Sequence, residues 1–269
     1  VVGNEGTRLR RVIVSAPKAE YYRVNDPLAH NIGEAAEKTK ALDQHRRLIE
    51  QMRKFGVRVV NLKELAGHPN SVFTRDSSLV TPEGYVRLRM GLETRRGEEN
   101  WMAEALESLG IPCAGRIDPP GTLEGGDVIL AGRVAFLGCS GRSNRSGVDQ
   151  LARLLKRMGY EVRVIVLPPG HLHLGGAMSV IGPETVLCCS GLFPEGFFGG
   201  FDQIAVPCPK ATSANMIALG NGEVIAEKSD SHAGQAVEEA GFIVHRLDLS
   251  EFVKGRGGPT CLILPIDRE

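Results

Sequence analysis

The chain has 269 residues, with Lys plus Arg equal to Asp plus Glu at 32 each and a formal net charge of zero. That balance leaves no basic footprint for nucleic acid or an anionic membrane, though it allows a charged pocket for a small substrate. No run approaches the roughly 18 apolar residues of a membrane-spanning helix, VVGNEGTRLRRV has no basic segment leading into an apolar stretch, and six cysteines without a C-x-x-C pair predict a reduced, cytoplasmic protein rather than a disulfide scaffold.

In chain order, the apolar run 12–14 reads as a strand. A helix follows from Glu34, its stripe being Ala35, Thr39, Leu42, Ile49 and Met52. MRKFG-VRVV then turns from helix into strand 57–60 through Gly56. The same junction recurs as LESLG-IPCA, LKRMG-YEVRV and VEEAG-FIVHR, with Gly110, Gly159 and Gly241. A glycine at this place is the left-handed helix C-cap. The first spacings, about 50 residues, mark a modular array. The last gap is 82 residues. The irregular LFPEGFFGGFDQIAVPC fills it and reads as a decayed module, Gly199 and Gly200 preceding strand 203–206. Runs 128–130 with 134–137, and 178–181 with 186–189, are joined by short Gly- or Pro-containing links and predict two hairpins. Between the hairpins, Val148, Leu151, Leu155 and Met158 define a helix from Ser143, followed by strand 162–167. Strands 224–226 and 261–264 complete the series, and Trp101 falls on the packing side of the helix in EENWMAEALESLG. The count is five modules of mixed strands plus one helix. No low-complexity linker divides them, so residues 1–269 are expected to form a single domain.

Four polar islands interrupt the apolar runs: PNSVFTRD at 69–76, TLEGGDV at 122–128, HLHLGG at 171–176 and GGPTC at 257–261. Singly, each has a plain structural reading. FTRD could be a surface turn with an Arg–Asp pair, EGGD a glycine-closed turn, H-x-H two outward imidazoles, and Cys261 a small buried hydrophobe. Together they supply a set. A thiol nucleophile needs a partner to lower its pKa, and a histidine can provide this. The histidine needs an orienting carboxylate. Cys261, one of His171 and His173, and Glu124 provide one of each, and Asp76 suits a cationic substrate group. Tetrahedral zinc requires about four ligands at spacings absent here, so no metal is expected.

In these islands the sequence resembles the guanidine-modifying superfamily of the five-bladed α/β propeller (pentein) fold, from about Val12 to Pro265. The superfamily includes dimethylarginine dimethylaminohydrolases, arginine deiminases and amidinotransferases. The resemblance implies repeated mixed-strand plus helix modules around a central active site. It implies that Cys261 attacks the guanidinium carbon, that His173 is acid and then base, and that Glu124 orients His173. It further implies that Asp76 receives the substrate guanidinium, that Asn70 lies near the substrate, and that Arg95 and Arg142 hold an α-carboxylate, with the choice between Arg95 and Arg96 open by one residue. His171 receives no role. No cofactor is implied, the partner is a small guanidino compound, and a homodimer is left open. The length leaves no room for the extra helical domain of arginine deiminases. Their Asp after His-Leu is Gly175 here, which favours a substrate with an alkylated nitrogen, whereas Arg75 in FTRD is deiminase-like. The expected reaction is hydrolysis of N-ω-methylated arginine to citrulline and methylamine or dimethylamine. Arginine deimination, dihydrolysis or amidino transfer is the alternative, and a noncatalytic binding protein of the same fold the distant one.

Overall fold

The computed structural model describes residues 1–22 and 24–269. β1 (Leu9–Ser15) leads through helix α1 (Lys38–Lys54) to β2 (Arg58–Leu62). The second unit is β3 (Ser78–Thr81), β4 (Gly84–Arg87), α2 (Glu98–Ser108) and β5 (Cys113–Arg116). The third is β6 (Val128–Ala131), β7 (Val134–Cys139), α3 (Arg145–Arg157) and β8 (Glu161–Val166). A single helical turn, α4 (Leu174–Ala177), opens the fourth, β9 (Met178–Gly182), β10 (Thr185–Cys189) and β11 (Asp202–Val206). The fifth is β12 (Met216–Gly220), β13 (Glu223–Glu227), α5 (Ser231–Glu239) and β14 (Ile243–Leu247); after another turn, α6 (Ser250–Val253), β15 (Leu264–Arg268) returns to pair with β1.

Each unit is a three-stranded sheet with one rule: an antiparallel hairpin, then a crossover to a third strand parallel to the second. The remaining sheet, β15-β1-β2, obeys it with strands from the two ends of the chain. The inner strands β3, β6, β9 and β12 are buried along their length, whereas the outer strands β2, β5 and β14 are largely exposed. Near-continuous Val, Ile, Leu and Ala suit strands covered on both faces, and charged or polar side chains suit an open edge. Neighbouring sheets meet through β15 and β3, β6 and β9, β9 and β12, and β12 and β1. Between the second and third, Arg75 reaches the carbonyls of Gly125 and Val128. The result is the five-fold mixed α/β architecture that the repeat predicts.

The four junction glycines have φ of 78°, 77°, 85° and 93° at Gly56, Gly110, Gly159 and Gly241, the left-handed conformation a C-cap demands. In the fourth unit residues 190–201 cross over as turns without a helix, as the decayed pattern suggests.

Several expectations are corrected. The first helix begins at Lys38, capped by Glu37, and buries Ala41, Gln44, His45, Leu48 and Met52. Ala35 and Thr39 are exposed and Leu42 largely so, because Ala35 precedes the helix and the apolar face is displaced around it. Residues 261–264 are not one strand: Pro259–Leu262 form a 3-10 turn, and β15 starts at Leu264. Strands β3, β4 and β12 were not foreseen, their runs being short. Cys189 and Cys208 form a disulfide with Cα atoms 5.4 Å apart, contrary to the reduced state expected for all six cysteines. Adjacency hid it, since Cys188 and Cys189 face opposite sides of β10 and only Cys189 meets the segment after β11. Among the described residues, no helix is long and apolar enough to cross a membrane.

Candidate active site

The islands converge at one end of the inner strands. Asp76 closes the 3-10 turn Thr74–Asp76, Glu124 caps the turn Gly125–Asp127, His173 caps α4, and Cys261 lies in the turn Pro259–Leu262. Each turn immediately precedes an inner strand, so the ring delivers residues distant in sequence to one place.

His173 Nε2 is 2.8 Å from Glu124 Oε2, and His173 Nδ1 is 3.9 Å from Asp76 Oδ1. Glu124 is fully buried and also accepts from the backbone N–H groups of Gly91 and Leu92 and from Arg142 Nη1. Asp76 accepts from Gly126 N at 3.1 Å and from Arg95 Nη1 at 2.6 Å. The second glycine of LEGGDV has a steric cause. A Cβ on Gly126 would lie 2.7 Å from His173 Nδ1 and 2.9 Å from Asp76 Oδ1.

Burial is the largest effect on the His173 imidazole and lowers its pKa, but Asp76, Asp127 and Glu124 outweigh it and hold the ring at about 9. Burial is likewise the largest effect on Glu124 and raises it, yet His173, Arg142 and Arg95 bring its carboxyl well below the usual carboxylate range. Burial and then Asp76 push the Cys261 thiol up to about 11, against the Gly258 N–H, Arg75 and the Thr260 hydroxyl. At neutral pH the free protein therefore carries an imidazolium and a neutral thiol.

A cavity of 470 Å³ opens beside this cluster. His173, Gly126, Gly175, Asn215, Thr260 and Cys261 form its reactive end, and Arg75, Glu5 and Arg268 lie farther along the wall. Asp76, Glu124, Arg95 and Arg142 stand behind that wall rather than on it. His171 lines the cavity, and its Nδ1 is buried without a partner.

Direct polar contacts join Asp76, Glu124, His173, Arg95 and Arg142, and Cys261 shares the cavity with His173. Asn70 touches this set through its backbone alone. Its Nδ2 donates to the His30 carbonyl at 3.1 Å, its Oδ1 is buried without a partner, and its carbonyl faces Arg95 Nη2 at 3.4 Å. Of the two ETRR arginines, Arg95 is the one beside Asp76 and is 3 % exposed, whereas Arg96 donates to the Met90 carbonyl. Arg95 donates through Nε and Nη2 to Glu98, through Nη1 to Asp76, and through Nη2 also to the Phe73 carbonyl, so in this arrangement it braces carboxylates. Arg142 is engaged through Nη1 only. The surface Arg–Asp turn imagined for FTRD is absent: Arg75 pairs with Glu5 through both terminal nitrogens, at 2.9 and 2.6 Å, and both residues are buried.

Sequence reasoning passed over three contributors. Glu98 completes the pairing of Arg95. Asn215 holds the turn that carries Cys261. Asp127 accepts from Ser140, Ser143 and Leu174 N, tying EGGD to the first residue of α4; burial raises its carboxyl to about 6. Asp127 was visible within the LEGGDV island, but Asn215 lies in no motif. Donor atoms of Asp76, Glu124 and His173 lie within 4.8 Å of one another. Arg95 and Arg142 already neutralise the two carboxylates, so a metal ion there would meet two fixed cations.

Residues 21–196 match the sequence family described as N,N dimethylarginine dimethylhydrolase, eukaryotic, and residues 202–268 match arginine deiminase. A protein of unassigned activity from Aeropyrum pernix is 34% identical over 232 residues, 84% of each chain. The N(G),N(G)-dimethylarginine dimethylaminohydrolase of Pseudomonas aeruginosa is 29% identical over 225 residues, covering 84% of this chain and 88% of that protein. A solved structure of the Pseudomonas aeruginosa enzyme, a cysteine-to-serine variant complexed with citrulline, superposes with a TM-score of 0.84 at 26% identity, over 96% of this chain and 99% of the other.

Proposed function

This chain belongs to the dimethylarginine dimethylaminohydrolase family of guanidino-group hydrolases, within the pentein superfamily, and from that premise we propose that it hydrolyses N-ω-methylated arginine to citrulline and a methylamine. The observation that carries the reading is that Cys261, His173 and Gly175 line one 470 Å³ cavity. The first two supply nucleophile and acid. The third puts a hydrogen where a deiminase places a carboxylate, leaving space beside one guanidinium nitrogen for methyl groups.

In this reading residues 1–269 act as one catalytic unit. The substrate guanidinium takes the place on Asp76 that Arg95 occupies in the free protein, and Arg95 and Arg142 turn to the α-carboxylate, a charge-assisted exchange of partners. Asn70 closes the site behind them. The incoming cation offsets the burial and the Asp76 charge that keep Cys261 protonated, so the thiolate forms when substrate is present. Sγ attacks the guanidinium carbon. His173, held by Glu124 at Nε2, gives the Nδ1 proton to the departing amine as the C–N bond breaks. A thiouronium remains on Cys261. Neutral His173 then takes a proton from water, hydroxide adds to the same carbon, and the C–S bond breaks to release citrulline and the thiol. Substrate plus water yields citrulline plus amine, with no cofactor. We place the activity in the cytoplasm on the four free thiols Cys113, Cys139, Cys188 and Cys261, against which the Cys189–Cys208 disulfide stands.

Arginine deimination is the second reading, favoured by the match of residues 202–268. A substrate panel separates the two. Citrulline should form from mono- and dimethylarginine, with loss of turnover in Cys261→Ser. Turnover of arginine without turnover of methylarginines would overturn the substrate claim and support the deiminase.

A further inference from the structure

Asn215 stands one residue before β12, on a different unit from every island, and is 2 % exposed. Its Nδ2 donates to the Gly175 carbonyl and to Thr260 Oγ1, each at 2.7 Å, and its Oδ1 accepts from Thr260 N at 2.8 Å. These partners fix the amide's orientation, because the Thr260 N–H needs an acceptor and the Gly175 carbonyl a donor. Both amide protons are thereby committed. The Thr260 hydroxyl, accepting one of them, still has its own proton to give. The sulfur of the next residue is at hand: Cys261 Sγ lies 4.0 Å from Asn215 Nδ2, and the Thr260 hydroxyl acts on it in the sense of a donor. The packing leaves no slack, since a Cβ on Gly258 would sit 2.6 Å from Asn215 Cγ.

We infer that Asn215 is a positioning residue for the nucleophile: it holds the Thr260 hydroxyl with its proton directed at Cys261 Sγ, and through Gly175 it ties the turn bearing Cys261 to the turn bearing His173. The inference rests on Cys261 being the nucleophile of the proposed reaction. The Thr260 hydroxyl favours the charged form of the thiol, in the same sense as the Gly258 N–H and Arg75 and against Asp76; His173 faces the same cavity. The arrangement resembles an oxyanion hole built for sulfur, in which donors are fixed before charge develops.

The test is the rate of Cys261 alkylation by iodoacetamide against pH in the free protein, followed by peptide mass. It needs no guanidino substrate, so absence of turnover on any substrate panel leaves its result intact. Thr260→Val should move the profile up by about one pH unit, about tenfold in rate at a fixed pH below the plateau. Thr260→Ser, which keeps the hydroxyl, should overlie the parent. Asn215→Asp should shift the profile in the same direction as Thr260→Val, because a carboxylate accepts the hydroxyl proton and draws it off the sulfur. Thermal melts establish that each variant is folded, and if Asn215→Asp is not, the Thr260 pair decides. A Thr260→Ser profile displaced as far as Thr260→Val, or a folded Asn215→Asp protein with the parent profile, overturns the inference.

Discussion

His173 and Cys261 are both held protonated, the imidazolium to about 9 and the neutral thiol to about 11. The sign of the pH dependence follows. From neutral pH up to about 9, the imidazolium persists while the thiolate fraction grows, so kcat/KM on methylarginine should rise about tenfold per pH unit and level off as His173 loses its proton. In Glu124→Gln the imidazolium loses its hydrogen-bonded carboxylate, so the plateau should begin at lower pH and kcat should fall about 10²–10⁴-fold. A pH–rate profile of citrulline formation for both proteins checks this, and a profile flat between neutrality and pH 9 contradicts it. At this scale much was legible in the sequence: Asp76, Glu124, His173 and Cys261 stand in islands whose polarity breaks apolar runs. The pairing of Arg95 with Glu98 was not, because which acceptors a guanidinium meets depends on the fold of the 93–98 turn.

The turns that carry these residues impose a steric rule on their neighbours. A Cβ on Gly126 would lie 2.7 Å from the His173 ring, so Gly126→Ala forces either the imidazole or Asp76 aside. We expect a loss of about 1–3 kcal/mol in stability, with kcat reduced further than the fall in Tm explains. Gly141→Ala, where nothing lies within 4 Å, is the control and should leave Tm unchanged. Equal effects on the two would show that Gly126 is not sterically constrained. The elements themselves were readable wherever a helix ended on glycine, because φ near 80° is a local demand written in one residue. The phase of α1 was readable only in part: Met52 is buried and Ile49 packs partly against the core, but Gln44 and His45 are buried polar residues while Thr39 and Leu42 face outward. Before Cys261, Gly257 accommodates the Phe73 ring, to which a Cβ would come within 2.2 Å.

The whole ring depends on a buried ionic contact along its cavity. Glu5 pairs with Arg75, and Arg75 spans to the Gly125 and Val128 carbonyls of the next unit. Glu5→Gln leaves a buried guanidinium without its counter-charge, and unfolding free energy should fall by about 3–5 kcal/mol. The double variant Glu5→Leu with Arg75→Met should recover much of that loss in denaturant titration; no recovery would mean that the contact with the two carbonyls matters more than the charge pair. The modular count was legible at this scale, since each repeat carries its own junction. Contacts between repeats, such as Asn215 with Thr260, were not, because they exist only after the units are arranged in a circle. That circle is completed by β15 against β1, and Cys261 lies three residues before β15. Cys261 therefore reaches the cavity beside His173 only once β15 has paired with β1. A chain in which that pairing is open can hold His173, Glu124 and the binding wall without the thiol beside them, so closure of the ring and the onset of the proposed chemistry are a single event.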